Sequence, residues 1–321
     1  MSDRTILRQI KQHPIRAGLL SVSAIVALFN LLAYLGAYSF THTVAPNTIG
    51  LGQPRRVNRK TPQDLGLPYS TQRISPQGQA IAPSQTASEW IELWAIPAAD
   101  RPRSKGQVLI FHGKDGHKGQ LLKPAQVFHQ WGYDVIMIDF RGAGRSSGYT
   151  TTIGVREAQD VVATVNYAQQ SSDRRPLILY GLSMGSAAIL KAIADGKIQP
   201  NGIILELPFA RLLDATRGRI RDMKLPVSPV SEVVLFWGGF QHGFNGFTHN
   251  PEDYARRVHC PTLVLHGRRD RWTTESAVQS ILQNLKGPKQ LVTFPQAGHE
   301  LLMGVDRATW LRVTDQFLGN L

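Results

Sequence analysis

The sequence predicts an α/β domain built on a mostly parallel sheet, preceded by a membrane-spanning helix. Three observations predict it. From about Thr61 onward, short apolar runs alternate with helical stretches, as expected of parallel strands covered on both faces. A G-x-S-x-G pentapeptide, Gly181-Leu182-Ser183-Met184-Gly185, lies between one such run and an Ala-rich segment. The stretch from Ala17 to Phe40 carries no charged residue.

The N-terminal stretch comes first. About 20 apolar residues cross a bilayer core as a helix, and Tyr34, Tyr38 and Phe40 fit an interfacial aromatic belt at its far end. Arg4, Arg8, Lys11 and Arg16 precede it closely, and the next Arg is Arg55. The positive-inside rule then leaves residues 1–16 as a cytoplasmic basic arm and 17–40 as a single-pass signal anchor. The rest of the chain is placed on the exocytoplasmic side. Ala37-Tyr38-Ser39 could also be read as a cleavage site, but the h-region of a cleaved signal runs only about 7–15 residues. A buried core helix would rarely lack charges over such a length. Residues 41–60, rich in Pro, Gly, Asn and Arg, read as a linker.

Strands are expected at Val108 to Phe111, Val135 to Ile138, Leu177 to Tyr180, Ile203 to Leu205, Leu263 to Leu265 and Leu291 to Phe294, with an earlier one at Glu89 to Trp94. Between them helices are expected at Leu121 to Gln130, Val155 to Gln169, Met184 to Ala194 and Thr274 to Leu285, and a last one at Arg307 to Leu318. Residues 208–259 break the rhythm, since αβ connections are usually short. The interval carries Phe236, Trp237 and Phe240 among glycines, and reads as a cap or lid over a site within the domain 61–321.

Composition narrows the function classes. The formal net charge is +13, yet the basic residues are dispersed and no nucleic-acid-binding motif accompanies them. Nucleic acid is therefore not an expected partner; lipid headgroups suit the charge better. Cys260 is the only cysteine, which excludes a disulfide-stapled scaffold. Arg141-Gly142-Ala143-Gly144-Arg145-Ser146-Ser147-Gly148 is one residue longer than the dinucleotide fingerprint, and Tyr149 to Ile153 intervenes before the next helix. A tight loop beside the site is expected there instead. His112, Asp115 and His117 are too close in sequence to converge on a metal. No cofactor and no metal is expected.

A G-x-S-x-G between strand and helix signifies a nucleophile elbow. Gly181 and Gly185 would allow so tight a bend, and Ser183 would stand at its tip. A serine hydroxyl needs a base, and the base an orienting partner. His299 follows the last strand and Asp270 the one before it, where open parallel sheets place their sites. Ser183, His299 and Asp270 would then serve as nucleophile, base and orienting acid. The competing readings make His299 a cap of the C-terminal helix and Asp270 a surface partner of Arg268, Arg269 or Arg271. Glu206, ending the strand after the elbow, is the alternative acid, with Asp214 behind it. The backbone N–H groups of Met184 and Lys114 would form the oxyanion hole.

These residues together resemble the α/β-hydrolase superfamily, in its membrane-anchored, single-pass esterase/lipase-like branch. The resemblance runs through Asp64-Leu65-Gly66-Leu67-Pro68-Tyr69, Phe111-His112-Gly113, Asp139-Phe140-Arg141-Gly142-Ala143-Gly144-Arg145-Ser146, the elbow, Cys260-Pro261-Thr262-Leu263-Val264-Leu265-His266-Gly267 and Ala297-Gly298-His299. It implies a mostly parallel eight-stranded sheet flanked by helices, with a helical cap insertion. It also implies acyl transfer from esters, thioesters or amides to water. Relatives usually carry Gly-Asp where this chain has Gly267-Arg268, and Asn is common at the position of Lys114. The expectation is a serine hydrolase of a carboxylic ester or thioester, with a small-molecule or lipid-like acyl substrate bearing an apolar acyl group. A serine peptidase or amidase of the same fold is the alternative within that class. A non-catalytic, membrane-anchored binding or scaffold protein is the alternative outside it. Oligomeric state is left open.

Overall fold

The computed structural model describes residues 14–45, 48–100, 103–170 and 175–321. The chain begins with helix α1 (Pro14–Thr41). Two short strands, β1 (Thr43–Val44) and β2 (Gln53–Pro54), pair in parallel. The domain proper then runs β3 (Ser70–Ile74), β4 (Ile91–Ile96), β5 (Gln107–Phe111), α2 (Leu122–Gln130), β6 (Asp134–Ile138), α3 (Glu157–Gln169), β7 (Leu177–Leu182), α4 (Met184–Ala194) and β8 (Gly202–Glu206). The cap interval holds α5 (Leu212–Asp222), α6 (Val230–His242) and α7 (Pro251–Tyr254). The chain closes with β9 (Thr262–Gly267), α8 (Glu275–Asn284), β10 (Lys289–Phe294), α9 (Leu302–Val305) and α10 (Arg307–Gly319).

The eight strands β3 to β10 form one sheet in the order β10-β9-β8-β7-β5-β6-β4-β3. Only β4 runs against its neighbours. The period of two sorts each central strand between two cores. Leu109 and Phe111 of β5 join α3, α4 and α8 on one face. Val108 and Ile110 join α2 and α10 on the other. Because β5 to β10 are parallel, their carboxyl ends share one edge, and the loops that follow them meet there.

Two elements lie outside what periodicity reads. Strand β3, Ser-Thr-Gln-Arg-Ile, is a polar edge strand in which only Ile74 is buried, so it offers no apolar run. The 41–60 segment is anchored to the domain. The Thr43 amide donates to Tyr149 O at 2.7 Å, and Arg55 donates to the carbonyls of Ala143 and Ser146 at 3.1 and 2.5 Å. Among the expected basic residues of the N-terminal arm, Arg4, Arg8 and Lys11 lie outside the described residues.

Helix α1 is long and apolar enough to cross a membrane over Gly18–Thr41, which fits a single-pass anchor. Its side chains from Gly18 to Leu28 are all exposed, unlike those of a core helix. Its C-terminal half packs on the cap, where Ala33 and Ala37 are buried against Val234.

The loops at the site edge are held by one buried cation. Lys118 is fully buried, 2.5 Å from Asp139 and 3.1 Å from Glu92. Burial alone would raise the Asp139 pKa; Lys118, His112 and the hydrogen bonds hold it below the usual carboxylate range. Asp139 also accepts the Arg145 amide at 2.9 Å, with Gly144 so close that a Cβ would sit 2.0 Å from its carboxyl carbon. Within the 141–148 loop, Gly142 donates to Ser147 O and Ser146 to Ala143 O.

Lys118→Met leaves two carboxylates buried without their cation, and is expected to cost about 3–5 kcal/mol in urea unfolding near neutral pH. A depressed pKa contributes stability above the unfolded value and loses it as pH falls through the folded one. The deficit of the variant should therefore shrink as the pH is lowered through the carboxylate range; a deficit that grows would contradict this account.

Candidate active site

Ser183 has φ +51° and ψ −108°, a left-handed conformation that costs a non-glycine residue about 1–3 kcal/mol. Its surroundings hold it there. The Ser183 amide donates to Glu206 O at 2.8 Å, and Ser186 Oγ donates to Gly181 O at 2.6 Å. A Cβ on Gly181 would lie 2.6 Å from the Gly185 carbonyl carbon, and one on Gly185 would lie 2.4 Å from Phe111 O. Both glycines are therefore steric requirements of the turn between β7 and α4.

The loops after β9 and β10 meet across Gly267, where a Cβ would lie 2.3 Å from Gly298 O. Arg268 and Arg269 donate their amides to Phe294 O and Ala297 O at 3.0 and 2.8 Å. The departure from Gly-Asp at Arg268 leaves this zipper intact, and Asp270 follows it into the site. His299 Nδ1 lies 2.6 Å from Asp270 Oδ2, and Nε2 lies 3.0 Å from Ser183 Oγ. A carboxylate can only accept, so Nδ1 carries the proton and Nε2 is free to accept from the serine hydroxyl. Asp270 also accepts the Trp272 and Thr273 amides at 2.8 and 3.0 Å and the Thr273 hydroxyl at 2.6 Å. Burial pushes its pKa up, but the hydrogen bonds from His299 and Thr273 outweigh it and hold the carboxyl below its ordinary range.

The other acids have different work. Glu206 is fully buried and accepts from Tyr180 Oη, Leu302 N and Trp310 Nε1 at 2.7, 2.8 and 3.0 Å. Burial raises its pKa. Asp214 is exposed and sits 3.4 Å from Arg217. The cap of α10 is Asp306, not His299, and Arg269 pairs with Gln296 rather than with Asp270.

The 112–117 loop runs beside the elbow, with Gly113 so placed that a Cβ would touch the Ser183 Cβ at 3.5 Å. His112 is buried; its Nε2 accepts the Phe140 amide at 3.1 Å, so Nδ1–H donates to Gly113 O at 2.7 Å. It is a neutral brace between two loops, its pKa lowered by burial. Lys114 and Met184 both line the cleft, and among the described residues neither backbone N–H finds a protein acceptor. The Lys114 side chain turns to Asp115 at 2.7 Å, and its ammonium lies 5.9 Å from the Phe40 ring of α1.

A cleft opens above Ser183 and His299. Its walls include Phe209, Leu212, Leu235, Phe244 and Trp272, and also Ala37, Phe40 and Thr41 of α1. The cap expectation needs correction in one respect: Phe236, Trp237 and Phe240 do not line it. A helix with Val234, Leu235, Gly238 and Gly239 on the cleft side turns positions 236, 237 and 240 outward. Phe236 and Phe240 are 53% and 67% exposed. Counting aromatics without their helical period chose the wrong face of α6. Sequence reasoning also missed Arg219, which lines the cleft and lies 3.7 Å over the Trp272 ring. It has no ion-pair partner among the described residues, and burial lowers its pKa. The walls contributed by α1 left no signal, because a membrane helix has no reason to read as part of a site.

The fold matches that of solved esterases. An esterase of Pyrococcus furiosus, Pf2001, superposes with a TM-score of 0.67 at 23% identity, covering 83% of this chain and 96% of that one. A family model described as serine aminopeptidase, S33, matches residues 102–235. The chain has the α/β-hydrolase fold. The uncharacterized protein YqkD of Bacillus subtilis is 26% identical to it over 217 residues, 67% of the chain and 71% of the relative. The lysophosphatidylserine lipase ABHD12 of Danio rerio is 26% identical over 239 residues, 68% of the chain but only 59% of the relative. The chain thus aligns to less than two thirds of the lipase's length.

Gly185→Ala forces backbone apart at Phe111 and is expected to cost about 3 kcal/mol, at the upper end for overpacking. Gly304→Ala, with nothing within 4 Å, is the matched control and should leave the urea midpoint within error. Equal stability of the two variants would remove the steric argument for the elbow.

Proposed function

We propose that this protein is a membrane-anchored serine esterase that works through an acyl-enzyme. The reading rests on one observation: the unbroken hydrogen-bond chain Asp270–His299–Ser183 at the floor of an apolar cleft. His299 Nε2 takes the Ser183 proton as Oγ attacks the ester carbonyl. Asp270 stabilises the imidazolium that forms. The tetrahedral oxyanion is held by the Met184 and Lys114 N–H groups. Collapse breaks the C–O bond to the alcohol, which leaves with the proton from His299. Water then gives its proton to His299 and attacks the acyl-enzyme; the bond to Oγ breaks as Ser183 takes that proton back, and the acid is released.

The cleft favours one substrate class. Its walls are mostly apolar, suited to an acyl chain, and the charged side chains lining it are Lys114 and Arg219. Lys114 is committed to Asp115, whereas Arg219 is available to an anionic group on the alcohol part. A single-chain ester with an anionic head fits both features, and the lipase relative is named for such a molecule. An aminopeptidase holds a protonated α-amine, for which neither cation is suited. A binding or scaffold role would leave the strain at Ser183 without a use. The basic N-terminal residues support an exocytoplasmic catalytic domain.

A fluorophosphonate probe should label the full chain and not Ser183→Ala; an unlabelled wild type that is folded would exclude the nucleophile. His299→Ala and Asp270→Asn should each reduce ester turnover by about 10⁴-fold. Glu206→Gln should spare turnover relative to Asp270→Asn; the reverse would make Glu206 the acid. Arg219→Met should raise KM for an anionic ester about tenfold while sparing a neutral ester of equal chain length.

A reporter fused after Leu321 should be active only on the exocytoplasmic side. Activity in the cytoplasm would reverse the orientation.

A further inference from the structure

Helix α1 does more than tether the domain. Trp237 Nε1 donates to Asn30 Oδ1 at 3.2 Å, and Gln241 Nε2 donates to the Tyr34 carbonyl at 2.9 Å. Tyr34 and Trp237 meet edge to face at 5.5 Å. The helices run close at Gly238, where a Cβ would make ordinary contact with the Ala37 Cβ at 3.9 Å. The last third of α1 and most of α6 therefore form one packed unit.

That packing fixes the depth of α6. The apolar stretch Gly18–Thr41 has 24 residues, and about 20 are needed to cross the hydrocarbon. Counted from Gly18, the hydrocarbon ends near Ala37. Asn30, Ala33 and Tyr34 then lie within the leaflet, and the helix bonded to them is drawn to the same level. The outer face of α6 suits that position. Phe236 and Phe240 stack at 6.3 Å and are largely exposed, and Trp237 joins them to Tyr34 of α1. From Val233 to Gln241 the helix carries no charged side chain, and Glu232 before it pairs with Arg217 at 2.7 Å. The opposite face of α6 roofs the cleft that holds Ser183.

We propose that α6 is an interfacial helix, with Phe236 and Phe240 inserted into the bilayer leaflet beside α1. On the esterase reading above, the cleft walled by α1 and α6 then draws its acyl chain from that leaflet rather than from water. The occupant of the aromatic face is lipid, because that face continues the lipid-facing flank of the membrane-spanning helix.

The test uses the full chain in phosphatidylcholine nanodiscs. In a Cys260→Ser background, which removes the only cysteine, spin labels are placed at Phe240→Cys, at Leu28→Cys as the lipid reference and at Lys197→Cys as the water reference. Power saturation with oxygen and with a water-soluble nickel chelate should group the Phe240 label with Leu28. Grouping with Lys197 would overturn the proposal, and so would shielding from both agents, which signifies contact with a second copy. In parallel, Phe236→Ser with Phe240→Ser should slow hydrolysis of a vesicle-borne long-chain ester about tenfold or more, and leave a short-chain ester in solution unchanged. Equal losses on both esters would count against it. The depth measurement reads no activity, so failure of the esterase reading would leave it standing.

Discussion

Helix α4 crosses the end of β5 with no side chain between them. At Gly185, a single methyl group would press to 2.4 Å from the Phe111 carbonyl oxygen. This approach sets how far the β7–α4 turn projects beyond the sheet edge. It also brings the loop after β5 alongside, with Gly113 next to Ser183. Lys114 and Met184, whose backbone N–H groups find no protein acceptor among the described residues, lie on the two segments that touch here. The strained φ of Ser183 is retained because hydrogen bonds from β8 and within the turn offset its cost.

The remaining loops are held to this contact by polar groups that the domain has buried. Asp139, Lys118 and Glu92 brace the 141–148 loop. His112 bridges Gly113 and Phe140, and Gly267 draws the Asp270 and His299 loops together. Asp139 and His112 each directly follow a strand and are hydrogen-bonded to more than one segment, the condition under which buried polarity fixes geometry rather than weakening the fold. The cap packs through apolar contacts, including those to α1, with polar ties such as Trp237 to Asn30 and Arg217 to Glu232.

Much of this was legible in the sequence for a physical reason. Strands buried on both faces must be apolar throughout, so β5 to β9 stand out, and Met184 to Ala194 is read to the residue. Ser183 and Asp270 are legible because each closely follows such a strand, and His299 because it lies in the loop after the last strand. What escaped is set by tertiary contact. Strand β3 is polar because it lies at an edge. The cap aromatics face outward because the period of α6 turns them so, a fact that composition does not carry. Arg219 has no local motif, since its position depends on α5 crossing Trp272. The share of the cleft wall supplied by α1 depends on contact between segments about 200 positions apart.

Glu206 serves the site from both of its ends. Its carbonyl receives the Ser183 amide, while its carboxylate receives Leu302 N and Trp310 Nε1, just beyond the loop that carries His299. Ser183 and His299 are thus tied to one residue of β8 as well as to each other. A substitution that shifts Glu206 would therefore move both sides of the 3.0 Å contact between Nε2 and Oγ.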